Sequence, residues 1–387
     1  MDRHVLNVAV IGAGGIAPSH VEGFLQFPNT TRITAVANRS IQRAHDIIAR
    51  YRLDATAYSD YHQAINGADI VVICTPPDSH RAIAEAAFSC GAHVLVEKPM
   101  APCLADCDAM IDAAKSSGKL LSVVAQSRFI SSIHHAIKMM HSGDFGRILF
   151  AQVNSFWWRG QSYHDLAWRG RWETEGGGCT MNQAIHHVDL LLWSKGLPAE
   201  VTAVMGNLAH GNSEEEDISL ALLRYTDRTL GQLSSGLFHH GEPQSLNFQL
   251  EQVGVSLPFD VVASKQRSNG FPVADEDAAQ RFRTVYQSRK PLAHEHHTGQ
   301  IADFLLAIER QTAPLVTGES GRAALELVTA VYKSASTGAT VSLPLRQDDP
   351  FYRQEADGVP HFPRFNRKSR FVDAFEDTAI TSFKGKY

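Results

Sequence analysis

Three groups of residues in this chain have types and spacings suited to chemistry. The first is the string Gly12-Ala13-Gly14-Gly15-Ile16-Ala17, which fits GxGxxG/A and follows a strand-like run directly. Gly12 permits a tight turn, Gly14 lets the backbone approach a pyrophosphate, and Ala17 lets a helix pack close to a strand. Gly15 and Ile16 lead into that helix, where unbonded N–H groups and the macrodipole favour a phosphate. The cofactor this implies is a nicotinamide dinucleotide. Choice between NADP and NAD falls to the end of the second strand, Ala37-Asn38-Arg39-Ser40. NAD-binding folds usually place Asp or Glu there to hold the ribose hydroxyls. Asn38 is neutral and does not repel a 2′-phosphate, and Arg39, Ser40 and Arg43 are suited to hold one. NADP is therefore expected, with NAD as the alternative.

The second group is Lys98 with the His186-His187 pair and Asn182. Moving a hydride between an alcohol and a nicotinamide also moves a proton, which needs a base within hydrogen-bond reach that titrates near neutrality. Histidine meets that need without a large shift. Lys98 follows a strand of the first sheet, at the end where open α/β sheets bind ligands. It serves as a charged hydrogen-bond donor, or as a base if burial lowers its pKa. Asn182 and His186 are four apart and share a face if they lie on one helix. Spacing leaves open which histidine of the pair faces the site. The third group is Trp157, Trp158, Arg159, Tyr163, Trp168, Arg169 and Trp172. Flat aromatics cover the apolar face of a pyranose while arginines bind hydroxyls or phosphates. Gln126 and Arg128 follow the last strand of the first domain and are placed to line the same site. His294, Glu295, His296 and His297 are adjacent in the chain and so poorly arranged to converge on one ion; no metal is expected.

These residues need a scaffold. From Val5 to Val124 the chain alternates strand and helix: strands at Val5–Ile11, Arg32–Ala37, Ile70–Cys74, His93–Val96 and Leu120–Val124, helices at Ala17–Phe27, Ser40–Tyr51, Asp78–Cys90 and Leu104–Ala114. That order demands a parallel sheet with helices on both faces. After about Gln126 strands dominate: Ile148–Phe156, Glu200–Met205, Ser219–Tyr225, Leu230–Ser235 and Leu246–Val253, with late helices at Gly299–Arg310 and Ala323–Ser334. A mostly antiparallel sheet in an α+β second domain follows. The expected domains are 1–126 and 127–345. A polar, aromatic-dotted tail, 346–387, reads as an arm on its own or a neighbouring subunit, with a disordered end as the rival.

Composition narrows the partners. A chain of 387 residues suits two domains, and 44% hydrophobic with 20% charged residues is an ordinary globular balance. With a net charge of −5 and no basic stripe, nucleic acid is not expected as a partner. Neither a secretory signal nor a bilayer-length apolar run is visible, and the five cysteines are unpatterned. A cytoplasmic protein with reduced thiols and a small-molecule partner, away from membranes, is the expectation.

Thr75-Pro76-Pro77-Asp78-Ser79-His80 and Gly91-Ala92-His93-Val94-Leu95-Val96-Glu97-Lys98-Pro99 resemble the paired signatures of the Gfo/Idh/MocA oxidoreductases. Gly176-Gly177-Gly178 with Asn182-Gln183-Ala184-Ile185-His186-His187-Val188-Asp189 resembles their second-domain signature, and Tyr332–Gly338 ahead of Leu343-Pro344-Leu345 resembles their usual ending. The resemblance implies an α/β Rossmann domain plus an α+β domain with an open-faced, mostly antiparallel sheet, and carbohydrate-like substrates. It implies that Lys98 and His186 act at the substrate and that Thr75, Pro76, His80, Glu97, Trp168 and Arg169 lie near the cofactor. Trp158, Tyr163 and Arg128 are candidate substrate contacts. Where relatives often carry Asp, this chain has Asn182, which cannot shuttle a proton and would position a hydroxyl or a ring nitrogen. The expected activity is hydride transfer between NAD(P) and a secondary alcohol or ketone of a sugar, polyol or sugar derivative. The alternatives are NAD-dependent glycoside cleavage on the same fold and a non-catalytic nucleotide sensor. The open sheet face implies a homodimer or homotetramer.

Overall fold

A computed structural model of the chain describes residues 5–257, 259–353, 362–372 and 375. The chain divides into two compact units, Met1–Phe129 with Ala293–Leu325, and Ile130–Leu292 with Glu326–Tyr387.

In the first unit, β1 (Leu6–Ile11), α1 (Ala17–Phe24), β2 (Thr31–Ala37), α2 (Ile41–Tyr51), β3 (Thr56–Tyr58), α3 (Tyr61–Ile65), β4 (Ile70–Ile73), α4 (His80–Ser89), β5 (His93–Val96), α5 (Leu104–Ser117) and β6 (Leu121–Val123) follow one another. All six strands pair in parallel in the order β3-β2-β1-β4-β5-β6. β4 is Ile-Val-Val-Ile and wholly buried, as a central parallel strand covered on both faces must be. The strand order reverses between β1 and β4, so their C-terminal ends open the crevice where such sheets bind ligands.

The second unit adds α6 (Ser131–Met140), β7 (Ile148–Phe156), α7 (Trp172–Glu175), α8 (Cys179–Asn182), α9 (Ile185–Lys195), β8 (Glu200–Gly206), β9 (Ile218–Arg224), β10 (Leu230–Gly236), β11 (Ser245–Leu250), β12 (Gly254–Leu257), β13 (Asp260–Val262), β14 (Ser264–Gln266), β15 (Pro272–Ala274) and α10 (Glu276–Gln287). With β16 (Val341–Ser342) its large sheet runs β13-β12-β11-β7-β10-β9-β8-β16. Only β7 and β10 pair in parallel, so the sheet is mixed. The stretch Leu246–Val253, expected as one strand, folds back: Leu250 N donates to Val253 O at 2.8 Å and the chain returns as β12. Alternation along β9 buries Ser219, Ala221 and Leu223 and turns Leu220 and Leu222 outward.

The structural units differ from the expected domains in one respect. Helix α11 (His296–Arg310), read as part of the second domain, packs in the first. Its Ile301, Phe304 and Leu305 join Val8, Val10, Val21 and Phe24 in one buried cluster. Gln300 substitutes for a strand edge beyond β6, accepting from Ala125 N at 2.9 Å and donating to Val123 O at 2.7 Å. The unit boundary then falls inside α12 (Gly318–Thr337). The described part of the tail, 362–372, lies on the second unit of its own chain. All five cysteines are thiols outside any disulfide, and only Cys90 is exposed.

Candidate active site

The glycine turn sits at the reversal of strand order. Gly12 holds φ +99°, and a Cβ there would fall 2.7 Å from the Cys74 carbonyl carbon at the end of β4. Only glycine tolerates both the angle and the approach. Above Gly14 the space is open to 4 Å, and α1 begins at Ala17 with no side chain capping its first amides. A pyrophosphate fits this turn: the space at Gly14 is open at the positive end of α1, with Gly15 and Ile16 between, while Ala17 N and Ser19 N are already bonded to Gly14 O and Ile16 O. Asn38 is half-buried and accepts from Ala13 N at 3.0 Å while donating to Ser40 O at 3.0 Å, so its carboxamide ties β2's end to the glycine turn. Arg39 and Arg43 beside it are exposed.

The Thr75–His80 turn and the Glu97-Lys98-Pro99 turn are bound to each other. His80 is fully buried, its Nε2 2.8 Å from Thr75 O and its Nδ1 3.2 Å from Met100 O. Burial lowers its pKa, so it is a brace between two turns and not a group facing a ligand. Ser79 Oγ closes the first turn by donating to Thr75 Oγ1 at 2.7 Å, with Pro76 exposed at its tip.

Glu97 differs from the sequence expectation in the same way. Its carboxylate is buried, lies 2.7 Å from His20 Nε2 and accepts from Lys98 N at 3.1 Å. Burial alone would raise this carboxyl, yet the hydrogen bond and charge of His20 and the charge of Lys98 bring it down to about 2. His20 shows the converse. Burial pulls it down, but Cys74 and Glu97 push it up to about 10, so the pair is ionic. His297 of α11 lies edge-on to His20 at 5.2 Å between ring centroids and is lowered to about 4, mainly by burial and then by His20. The ligand atoms of His20, Glu97 and His297 all lie within 4.8 Å of one another. Sequence reading missed His20, because nothing along the chain connects it with Glu97. Lys98 itself is half-buried. Gln126 follows β6 in a short helical turn with a buried, unpartnered Oε1. Arg128 is 5% exposed and donates to Leu315 O at 3.3 Å within the first unit.

In the second unit the glycine run fixes the Asn182–His186 stretch. A Cβ on Gly178 would fall 1.9 Å from Glu216 O, so nothing larger fits. Glu216 accepts from Gly178 N, Thr180 N and the Tyr332 hydroxyl at 2.9, 3.0 and 2.9 Å. Burial raises its carboxyl to about 7 despite those donors. Asn182 and His186 do not lie on one helix: α8 ends at Asn182 and α9 starts at Ile185. Asn182 Nδ2 donates to Gly177 O at 2.6 Å. The structure also separates the two histidines. His187 is buried, 2.7 Å from Ser155 Oγ and lowered to about 4 by burial, whereas His186 and Asn182 are half-buried. Asp189, one turn on, is buried.

The aromatic group is a stack of guanidiniums and rings. Arg169 lies 4.1 Å from the Tyr163 ring centre and 4.0 Å from that of Trp168. Arg159 covers Tyr163 from 5.7 Å. Each arginine has a buried acidic partner, Arg169 with Glu175 at 2.7 Å and Arg159 with Glu242 at 2.9 Å. Gln183 donates to the Tyr163 hydroxyl at 3.0 Å. Trp158 and Trp168 are each 45% exposed, leaving two indole faces available beside this stack, whereas Trp172 is packed inside.

Two sequence models match the two units in turn. Residues 6–125 match the oxidoreductase family with the NAD-binding Rossmann fold, and residues 133–254 match the GFO/IDH/MocA C-terminal domain. The chain belongs to the Gfo/Idh/MocA oxidoreductase family. Among its family relatives, levoglucosan dehydrogenase of Pseudarthrobacter phenanthrenivorans is 25% identical over 73% of this chain and 80% of that protein. A 1-carboxy-3-chloro-3,4-dihydroxycyclohexa-1,5-diene dehydrogenase of Comamonas testosteroni is 32% identical over 49% of this chain, a match spanning 47% of that relative's length. Inositol 2-dehydrogenase of Burkholderia lata is 28% identical over 56% of this chain and 63% of its own. Among solved structures, the WlbA dehydrogenase of Bordetella pertussis, in complex with NADH and UDP-GlcNAcA, superposes with a TM-score of 0.76 at 28% identity over 89% of this chain and 99% of that one. No helix among the described residues is long and apolar enough to cross a membrane.

Proposed function

We propose that this chain transfers a hydride between NAD(P) and a secondary alcohol or ketone of a sugar, polyol or sugar derivative. The observation that carries the reading is the open glycine turn under the uncapped start of α1, at the reversal of strand order in a family Rossmann domain. The relatives named for levoglucosan and inositol, and the WlbA complex with a nucleotide sugar, support the substrate class. When bound, the dinucleotide supplies the hydride donor or acceptor. On this reading Gly12 to Ile16 cradle its pyrophosphate, with Thr75, Pro76, Gln126, Trp168 and Arg169 around it. Lys98 donates a hydrogen bond to the reacting substrate oxygen, and its charge stabilises that oxygen as the proton leaves. His186 takes the proton on an imidazole nitrogen. Asn182, tied to Gly177, orients the substrate and does not relay protons. Trp158 and Tyr163 supply aromatic surface for the carbohydrate. Asn38 without a carboxylate, flanked by Arg39 and Arg43, supports NADP over NAD.

The test is to mix the purified protein with sugars and inositols and with each cofactor, and to follow absorbance of the reduced nicotinamide. Substrate-dependent absorbance change is expected. Glycoside cleavage without net absorbance change would replace the dehydrogenase reading with a lyase-like or hydrolytic one. Binding without either reaction would favour a sensor.

A further inference from the structure

The tail beyond the family signatures is spent on one segment of the second unit. Val372 N donates to Asp165 O at 2.7 Å and Ala167 N donates to Val372 O at 2.9 Å, a short parallel bridge. Phe365 N donates to Glu214 O at 3.0 Å. Asn212, 2% exposed, is the hub between arm and segment. Its Oδ1 accepts from Ser369 N and Arg370 N at 2.8 and 3.0 Å, and its Nδ2 donates to Asp165 Oδ1 at 2.8 Å and Arg370 O at 3.0 Å. Lys368 is 6% exposed and donates to the His164 carbonyl. Trp172 donates to Pro363 O at 3.2 Å and packs on Phe362 at 4.6 Å between ring centroids.

A buried ammonium and a buried carboxamide are costly unless their partners are in place. Here Lys368 is met by the His164 carbonyl, and Asn212 by Asp165 on one side and the backbone of Ser369 and Arg370 on the other, so both tie the arm to the stretch 164–175 that carries Trp168 and Arg169 and adjoins Tyr163. Glu175 is the acid that holds Arg169 against both rings. We propose that the arm 362–372 is a positioning element of the substrate site, in which Lys368 and Asn212 fix the 163–172 segment and so set affinity for the carbohydrate. Lys368 touches no substrate on this account; it acts through the His164 carbonyl, next in the chain to Tyr163. The proposal rests on the functional reading given above.

Two measurements on full-length protein test it. In the Lys368→Met variant, hydrogen exchange at the Ala167 and Val372 amides is expected to speed up by at least about tenfold relative to wild type. Lys368→Arg is expected to restore most of the protection. Steady-state kinetics on the carbohydrate that wild type turns over fastest is expected to show KM raised roughly tenfold in Lys368→Met, with nucleotide affinity by nicotinamide fluorescence weakened as well, because Trp168 and Arg169 lie around the dinucleotide on the functional reading. Unchanged protection in Lys368→Met would overturn the arm's role whether or not any carbohydrate is turned over. Faster exchange with an unchanged KM would overturn its role in substrate affinity. Wild type that turns over no carbohydrate would defeat the functional reading separately, since exchange is measured without substrate.

Discussion

Lys98 stands on a turn whose rigidity comes from a charge pair the sequence does not display. His20 and Glu97 lie 77 positions apart and meet inside the first unit at 2.7 Å. Removing His20 leaves Glu97 buried and uncompensated, so His20→Ala is expected to cost about 3–5 kcal/mol in denaturant unfolding. The pair also sets a pH dependence. Glu97 is held at about 2, below its unfolded value, so its contribution is present above about pH 4.3 and fades as pH falls toward 2. His20 is held at about 10, above its unfolded value, so its contribution is whole below about pH 6.5 and is lost as pH rises toward 10. Wild-type stability should therefore decline across the alkaline window. His20→Asn should flatten that decline, and an equal decline in both proteins would remove His20 from the account. Asn38 offers a second test at this scale. Asn38→Asp keeps the shape that receives Ala13 N but adds a charge, and it should shift the ratio of NADP to NAD affinity by on the order of tenfold toward NAD.

Among elements, the glycine run shows what sequence can and cannot convey. Gly176–Gly178 and His186 were legible as a signature, but the reason for Gly178 is Glu216, 38 positions beyond it and buried against it, and the reason for Gly177 is the Tyr332 ring. A buried glutamate in the acidic stretch Glu214-Glu215-Glu216 looks like surface charge until the fold is known. Gly178→Ala would force a methyl into a backbone carbonyl. It should cost about 1–3 kcal/mol or more, read as a lower midpoint in thermal unfolding. Whether one helix carries both Asn182 and His186 could not be judged from spacing, because a four-residue interval survives a helix break at Gln183-Ala184. Periodicity did place β1, β2, β4, β5, α2 and β7 within a residue or two, since strong burial on a regular element leaves a repeating pattern. It lost β3 and β13–β15, three residues each and too short to carry one, and it also passed over the longer helices α6, α9 and α10.

For the whole molecule, chain order misled on α11. A helix late in the sequence completes the first unit because its apolar face matches α1, and composition alone does not say which core a helix joins. The open face of the large sheet presents Val204, Leu220 and Leu222 at 63%, 45% and 66% exposure. We propose that a second copy of the chain covers this apolar face. Light scattering should give a dimer or tetramer mass, and Leu222→Lys should move it toward the single-chain value. A single-chain mass for wild type would contradict this.

The central claim is that Lys98 acts on the substrate oxygen and does not merely support the nucleotide site. The direct measurement is hydride transfer by Lys98→Ala, followed at the nicotinamide absorbance band, beside dinucleotide affinity measured on the same preparation. The account predicts a loss in kcat of roughly a hundredfold to ten-thousandfold with dinucleotide affinity within about threefold of wild type. Undiminished turnover, or a loss explained wholly by failure to bind dinucleotide, would contradict it.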